Sequence, residues 1–313
     1  MRQHHIVMVA NVYYVRKLMD AATRRDYAWG IRPGKLPREG ALQGEQKQVP
    51  SRFTDRVVIV TGAASGIGRA CALRLAAEGA DIVALDLSEP GLRNLAAEIG
   101  TLGRRCETVT GSVADLELID QAIAAATGVF GRLDGLINNA GISGPLRRFD
   151  QCSVADFDMM IAVNLKPAWY ACKAARAALL EAGGGAILNV ASMAGLVPNR
   201  HHSLYGMTKA AMISMTYHAA MDYAVDGIRV NCLCPGPVET PIFDQMREAV
   251  GDDRYQGVRK QLMRRTLLNR FGTADEQATA AAFLLSDDAA FITGLAMPVD
   301  GGWSISDGQT SGK

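Results

Sequence analysis

Aromatic residues are scarce in this chain, 6% of 313 positions, and neither sign of charge prevails: 33 lysines and arginines face 32 aspartates and glutamates. A formal charge of +1 leaves no basic stripe of the kind that holds nucleic acid. No apolar run approaches the roughly 20 residues that cross a bilayer as a helix. The six cysteines (Cys71, Cys106, Cys152, Cys172, Cys232 and Cys234) are scattered without the spacing of a zinc site, and a chain of this length needs no disulfide staples. Together these shortages argue against a nucleic-acid partner, a membrane span and a metal centre. They leave a soluble protein in a reducing, cytoplasmic setting.

What is present is aliphatic: 49% of the chain is hydrophobic and 21% charged, enough for a sizeable core. Residues 1–52 differ from the rest. A short apolar run at 6–15 is preceded by Arg2, His4 and His5 and followed by a polar, basic stretch carrying Gly30, Pro33, Gly34, Pro37 and Gly40. No small-residue cleavage site follows, and Asp20 and Asp26 oppose a transit peptide. This segment reads as a flexible leader or as a start codon placed too far upstream.

From Arg56 onward short Val/Ile/Leu runs alternate with longer Ala-rich amphipathic stretches. The pattern predicts strands at 57–61, 81–86, 107–110, 133–138, 186–191, 228–232 and 296–299, with helices at 66–79, 92–102, 116–129, 157–181 and 205–224. Continuously apolar strands alternating with helices imply a parallel sheet covered on both faces. The expected fold is α/β, a single doubly wound Rossmann-type domain over 53–313 with a sheet of about seven strands. Cys232 and Cys234, two apart in a strand, point to one face and read as buried, inert thiols.

Thr61-Gly62-Ala63-Ala64-Ser65-Gly66-Ile67-Gly68 lies where the first strand passes into the first helix. A helix N-terminus offers unpaired N–H groups and a positive dipole end to a pyrophosphate, and glycines allow the backbone to approach it. The spacing is G-x-x-x-G-x-G, so Gly62, Ser65, Gly66, Ile67 and Gly68 are expected to bind a dinucleotide. Asp86 closes the second strand, twenty positions after Gly66. A carboxylate there accepts both ribose hydroxyls and repels a 2′-phosphate. Neither Leu87 and Ser88 nor the glycine turn supplies a cation, so NAD is expected rather than NADP.

At this point the sequence resembles the short-chain dehydrogenase/reductase family. The likeness runs from about Phe53 to Trp303 and is carried, in the family's order, by Thr61–Gly68, Asn138-Asn139-Ala140-Gly141, Asn164, Ser192, Tyr205-x-x-x-Lys209 and Pro235-Gly236. Tyr205 and Lys209 are four apart on a predicted helix and share one face. A free phenol has a pKa near 10, and a neighbouring ammonium together with a charged nicotinamide would lower it, making Tyr205 the acid/base. The resemblance gives Lys209 a second task at the nicotinamide ribose. It assigns Asn164 to a water linking the lysine to solvent, and Ser192 to the orientation of the substrate oxygen.

By the same resemblance Asn139, Ala140 and Gly141 border the adenosine ribose, while Pro235, Gly236, Val238 and Thr240 hold the nicotinamide carboxamide. Where the family often carries an Asp beside an aliphatic residue against the adenine, this chain has Ser112-Val113. The stretch 241–271 corresponds to the family's variable lid. Its arginines could grip an acidic substrate or form a solvated basic face, and Arg147 and Arg148 are equally ambiguous. His201 and His202 border the expected pocket, where they could bind substrate or relay protons.

The implied activity is hydride transfer between NAD(H) and a secondary alcohol or ketone, in a homotetramer that pairs its two long helices across subunits. An NADPH-dependent 3-oxoacyl-thioester reductase is the alternative enzyme. A cofactor-binding regulatory protein without catalysis is the alternative of another class.

Overall fold

The aliphatic runs at the middle of the sheet are almost wholly hidden on both faces, which is what a parallel sheet between two helical layers requires, while the two edge runs at 106–110 and 296–299 are partly exposed. The computed structural model describes residues 51–306 apart from 242, 244–246, 249 and 250. All but the last two residues of the expected leader, and part of the expected lid, therefore lie outside the described residues. The strands are β1 (Val57–Thr61), β2 (Asp81–Asp86), β3 (Cys106–Thr110), β4 (Gly135–Asn138), β5 (Gly185–Val190), β6 (Ile228–Pro235) and β7 (Ala296–Val299). They form one sheet in the order β3-β2-β1-β4-β5-β6-β7, with every neighbouring pair parallel.

Alternation along β1 divides the core. Val58 and Val60 face a layer made by α1 (Gly66–Ala77), α2 (Glu89–Thr101) and α8 (Ala274–Leu285), where Leu75, Leu95, Ile99 and Ala281 are buried. Val57 and Ile59 face the opposite layer of α3 (Leu116–Val129), α5 (Lys166–Glu181) and α6 (Ser203–Tyr223), with Ile119, Ala175 and Leu179. Each such buried Leu or Ile contributes about 2 kcal/mol relative to exposure. Cys232 and Cys234 are both fully buried in one cluster with Ala191 and Met212, as the strand period predicts.

The helix expected over 157–181 is two helices. A capping box of Ser153 and Asp156 starts α4 (Val154–Asn164), and α5 follows after a break at Leu165 (φ −119°, ψ −55°) with Pro167 in its first turn. Proline has no N–H to donate and its ring crowds the preceding turn, so an uninterrupted helix is not available there. Asn164 therefore ends a helix rather than sitting inside one. The other differences are short. Pro90 in the first turn lets α2 begin at Glu89, and β6 runs on to Pro235 because β7 pairs with it up to Val299. Helix α7 (Asp252–Arg265) occupies the expected lid.

Arg229 on β6 closes the end of α8. Its guanidinium donates to the carbonyls of Leu284 (2.7 Å), Leu285 (3.1 Å), Ser286 (2.9 Å) and Ile292 (3.4 Å). These include helix-end acceptors with no partner in the helix itself. Arg229→Met keeps the stem and removes every donor. It should cost about 3 kcal/mol and lower the melting temperature by roughly 6–12 °C, read in a thermal melt; an unchanged transition would show that water replaces the guanidinium.

Candidate active site

The strand order reverses between β2-β1 and β1-β4, and a crevice opens at the carboxyl ends of β1 and β4. Thr61, the last residue of β1, ties the two strand ends together. Its hydroxyl accepts from the backbone N–H of Asn139 (3.0 Å) and Ala140 (3.1 Å) and donates to the Ile137 carbonyl (3.3 Å). The Asn139 amide returns the contact, donating to the carbonyls of Thr61 (2.9 Å) and Gly62 (3.1 Å). This closeness dictates glycine twice. Gly62 has φ +64°, and a Cβ there would lie 2.8 Å from Asn139 Nδ2; a Cβ on Gly68 would lie 2.1 Å from the Gly62 carbonyl oxygen.

Helix α1 begins at Gly66 with Ser65 at its N-cap. The Ser65 side chain makes no capping bond, and no acidic residue stands in the first turn. By contrast Ser88, Asp115, Ser153 and Thr273 cap α2, α3, α4 and α8 with their own oxygens. The first N–H groups of α1 are left to an anion. Ile67 packs partly against the core. Thr240, beyond β6, comes over the turn: a Cβ on Gly66 would stand 3.4 Å from its methyl.

Asp86 closes β2 beside this turn. One carboxylate oxygen accepts from Ala64 N–H (3.0 Å) and the other from Ser88 N–H (2.9 Å), so the group is held in place with lone pairs to spare. Ser112 spends its acceptor locally on Ala114 N–H (3.2 Å), and Val113 is buried. Past β6, Gly236 approaches Asp300 so closely that a Cβ would lie 2.6 Å from the Asp300 Cα. Val238 is buried and bridges Gly272, and the Thr240 hydroxyl bonds the Val238 carbonyl (3.3 Å). The segment from Pro235 to Thr240 is thus fixed along the same rim. An open helix start, a glycine cradle and a fixed carboxylate fit a dinucleotide.

Next to this rim stand the residues expected to carry chemistry. Ser192 follows β5, and its hydroxyl accepts from Ala194 N–H (3.1 Å). The turn Met193–Gly195 lies against α6; a Cβ on Gly195 would meet the Lys209 carbonyl carbon at 2.7 Å. Lys209 is buried, donates to the Val190 carbonyl (2.7 Å) and lies 5.7 Å from the centre of the Tyr205 ring. Asn164 clamps the segment after β4 at both backbone groups of Ile142, accepting from its N–H (2.8 Å) and donating to its carbonyl (2.9 Å), with a further bond to Thr208 (3.3 Å). Gly141 lies between: a Cβ there would be 3.2 Å from Asn164 Oδ1 and 3.6 Å from Lys209 Nζ. Beneath them a buried chain runs from Asn138 through Asn189 (2.8 Å) to Thr216 (2.9 Å).

Burial governs the titrations. It pushes the Tyr205 phenol above its ordinary value, and the hydrogen bond with Ser192 opposes it. It pulls Lys209 down to about 8, with the thiols of Cys232 and Cys234 acting the other way. The depression of Tyr205 expected from Lys209 together with a charged nicotinamide is not what the protein alone produces: desolvation outweighs the Ser192 hydrogen bond.

The structure gathers Asn164, Ser192, Tyr205 and Lys209 at one place, with Asn139, Ala140 and Gly141 beside them. Sequence reasoning did not assign Gly195, whose lack of a side chain admits α6, or the backbone of Ile142; the small residues around Ser192 were the available signal. His202 joins the group, stacked on Tyr205 with ring centres 4.5 Å apart, whereas His201 is exposed. On α7 Arg259 pairs with Glu239 (2.5 Å) and Arg265 stacks on Trp303. Arg147 and Arg148 pair with Asp156 and Asp150, both at 3.1 Å.

A family profile described as enoyl-(acyl carrier protein) reductase matches residues 62–304. Levodione reductase from Leifsonia aquatica is 34% identical over 81% of this chain and 96% of its own length. Cyclohexanol dehydrogenase from Acinetobacter sp. is 35% identical over 83% and 99%. A 2,5-dichloro-2,5-cyclohexadiene-1,4-diol dehydrogenase from Sphingobium indicum is 36% identical over 82% and 98%. The crystal structure of levodione reductase superposes with a TM-score of 0.78, covering 81% of this chain and 99% of that one at 34% identity. With its seven-stranded sheet and the glycine turn, this chain belongs to the short-chain dehydrogenase/reductase family and is an oxidoreductase of alcohol and carbonyl groups.

Proposed function

We propose that the protein interconverts a secondary alcohol carried on a small ring and the corresponding ketone, with NAD(H) as its cofactor and Tyr205 as the acid/base. The observation that carries this reading is the convergence of Tyr205, Ser192 and Lys209 beside Gly141 and Asn164 at the crevice mouth. The ring substrate follows from relatives named for cyclohexanol and for a cyclohexadiene diol.

Ser192 orients the substrate oxygen, and Tyr205 takes its proton in oxidation or returns it in reduction. Lys209 contributes positive charge near the phenol and donors toward the nicotinamide ribose. Asn164 holds the Ile142 backbone and, through Gly141, the neighbourhood of Lys209; a water between lysine and solvent belongs to the same reading. Gly62, Ser65, Gly66, Ile67 and Gly68 would hold the pyrophosphate, Asp86 the adenosine ribose, and Ser112 with Val113 the adenine edge. Asn139, Ala140 and Gly141 would border the ribose, and Pro235, Gly236, Val238 and Thr240 the carboxamide. Bound there, the dinucleotide supplies the hydride acceptor or donor.

The leader to residue 52, a single catalytic domain over 53–313 and a lid at about 241–271 complete the reading. A homotetramer is supported by the exposed faces of the two long helices, which carry Trp169 and Leu180 on α5 and Met207, Tyr217 and Met221 on α6; Phe291 near β7 is also fully exposed. Six free cysteines suit a cytoplasmic setting. No helix among the described residues is long and apolar enough to cross a membrane.

Three measurements test this. Tyr205→Phe should abolish turnover and leave most NADH affinity, measured by fluorescence titration; retained turnover refutes Tyr205 as acid/base. Oxidation requires the phenolate and reduction the phenol, so the oxidation rate should climb with pH while reduction declines. Lys209→Met should move the oxidation climb to higher pH, because the Lys209 ammonium, together with the oxidised nicotinamide, favours the phenolate. Finally, NADH should bind at least tenfold tighter than NADPH, since a 2′-phosphate would meet the Asp86 carboxylate, and Asp86→Ala should narrow the gap. Equal or tighter NADPH binding would place the 3-oxoacyl-thioester reductase ahead.

A further inference from the structure

His202 stands just before α6, after the chain has turned through His201 in the left-handed region (φ 62°). Its backbone bridges Arg147 in the segment after β4. The imidazole lies flat on the Tyr205 ring, with centres 4.5 Å apart and planes 10° from parallel. Its Nε2 is 3.1 Å from the Ser143 carbonyl oxygen. A carbonyl only accepts, so Nε2 carries the proton and donates. Burial also holds the ring below its ordinary pKa, with the Ser143 bond pulling the other way. The ring is therefore neutral near pH 7, and Nδ1 bears a lone pair.

Nothing among the described residues donates to that lone pair. The His202 residue as a whole is half-buried. The protein thus holds a fixed acceptor on a ring stacked against Tyr205, tied at its other nitrogen and unable to turn without breaking that bond.

We propose that His202 Nδ1 receives a second hydroxyl of the substrate while the reacting hydroxyl meets Tyr205 and Ser192, so that the site selects ring diols over ring mono-alcohols and over substrates with a second carbonyl. The inference rests on the ring-alcohol reading above. A hydroxyl donates to Nδ1. A methylene in its place leaves the acceptor unpaired on desolvation, and a second carbonyl sets lone pair against lone pair. One well-placed hydrogen bond corresponds to about tenfold in affinity.

The test is equilibrium binding to the full-length protein with NADH bound, a combination in which an alcohol cannot react. Calorimetry compares cyclohexanol with the cyclohexane-1,2- and 1,4-diols. The native protein should bind at least one diol about tenfold more tightly than cyclohexanol. His202→Phe keeps a flat ring on Tyr205 but removes the acceptor, and should erase most of that gap. His202→Asn, with an amide oxygen near the place of Nδ1, should retain part of it, and NADH affinity reports whether each variant is folded. A gap that survives His202→Phe overturns the proposal, as does equal affinity of the native protein for mono-alcohol and diol, including none for either. Equal losses for both ligands in the variants would make His202 a mere support for Tyr205 and also overturn it. Turnover is scored separately: a His202-dependent diol preference without oxidation of any ring alcohol would defeat the activity reading and leave the subsite standing.

Discussion

The rim of the sheet is organised by the bond set that holds the end of β1 to the end of β4. One threonine hydroxyl, at Thr61, serves two backbone donors and one backbone acceptor on the neighbouring strand end, and the Asn139 amide completes the junction. Because the strand order reverses here, helices leave to opposite faces and the backbone groups at the junction would otherwise lack partners. Side chains satisfy them, and the crevice is polar without being loose. The two forced glycines follow from that proximity, and so does the straight approach to the uncapped start of α1.

Electrostatics at the mouth are set by burial more than by pairing. The protein alone favours the neutral phenol at Tyr205 and weakens the charge on Lys209. Both shifts have one cause, the removal of water from around a site packed between α6, β5 and the turn at Met193–Gly195. A site in this condition responds strongly to any charge brought into it, since little solvent is present to screen it. Asp86 is the counterpart at the far end of the crevice: half-buried, doubly held by backbone N–H groups and, among the described residues, without a basic side chain bonded to it.

Most of the architecture was readable because it rests on periodicity. All seven strands fall where aliphatic runs predict them, within about two residues at most ends, and the residues singled out by motif spacing converge in space. What could not be read was tertiary. The helix break at Leu165 turns on one proline inside an otherwise helical pattern, whose effect depends on whether the chain kinks or restarts. The upward shift of Tyr205 in the protein alone depends on how much water the folded site excludes, which spacing does not encode. Gly195 and Gly206 resemble ordinary small residues until the turn after β5 is seen resting on α6, where a Cβ on Gly206 would lie 3.0 Å from the Ala194 carbonyl oxygen.

The break between α4 and α5 has a mechanical meaning. Asn164, on the last turn of α4, grips Ile142 and so sets the position of Gly141 and the approach to Lys209. Helix α5, one residue further on, carries the exposed Trp169 and Leu180. A continuous helix would act as a rigid rod, passing any push on that outer face directly to the asparagine. With a joint at Leu165, bending is absorbed locally, and the alignment of the inner residues is insulated from whatever load the outer face bears.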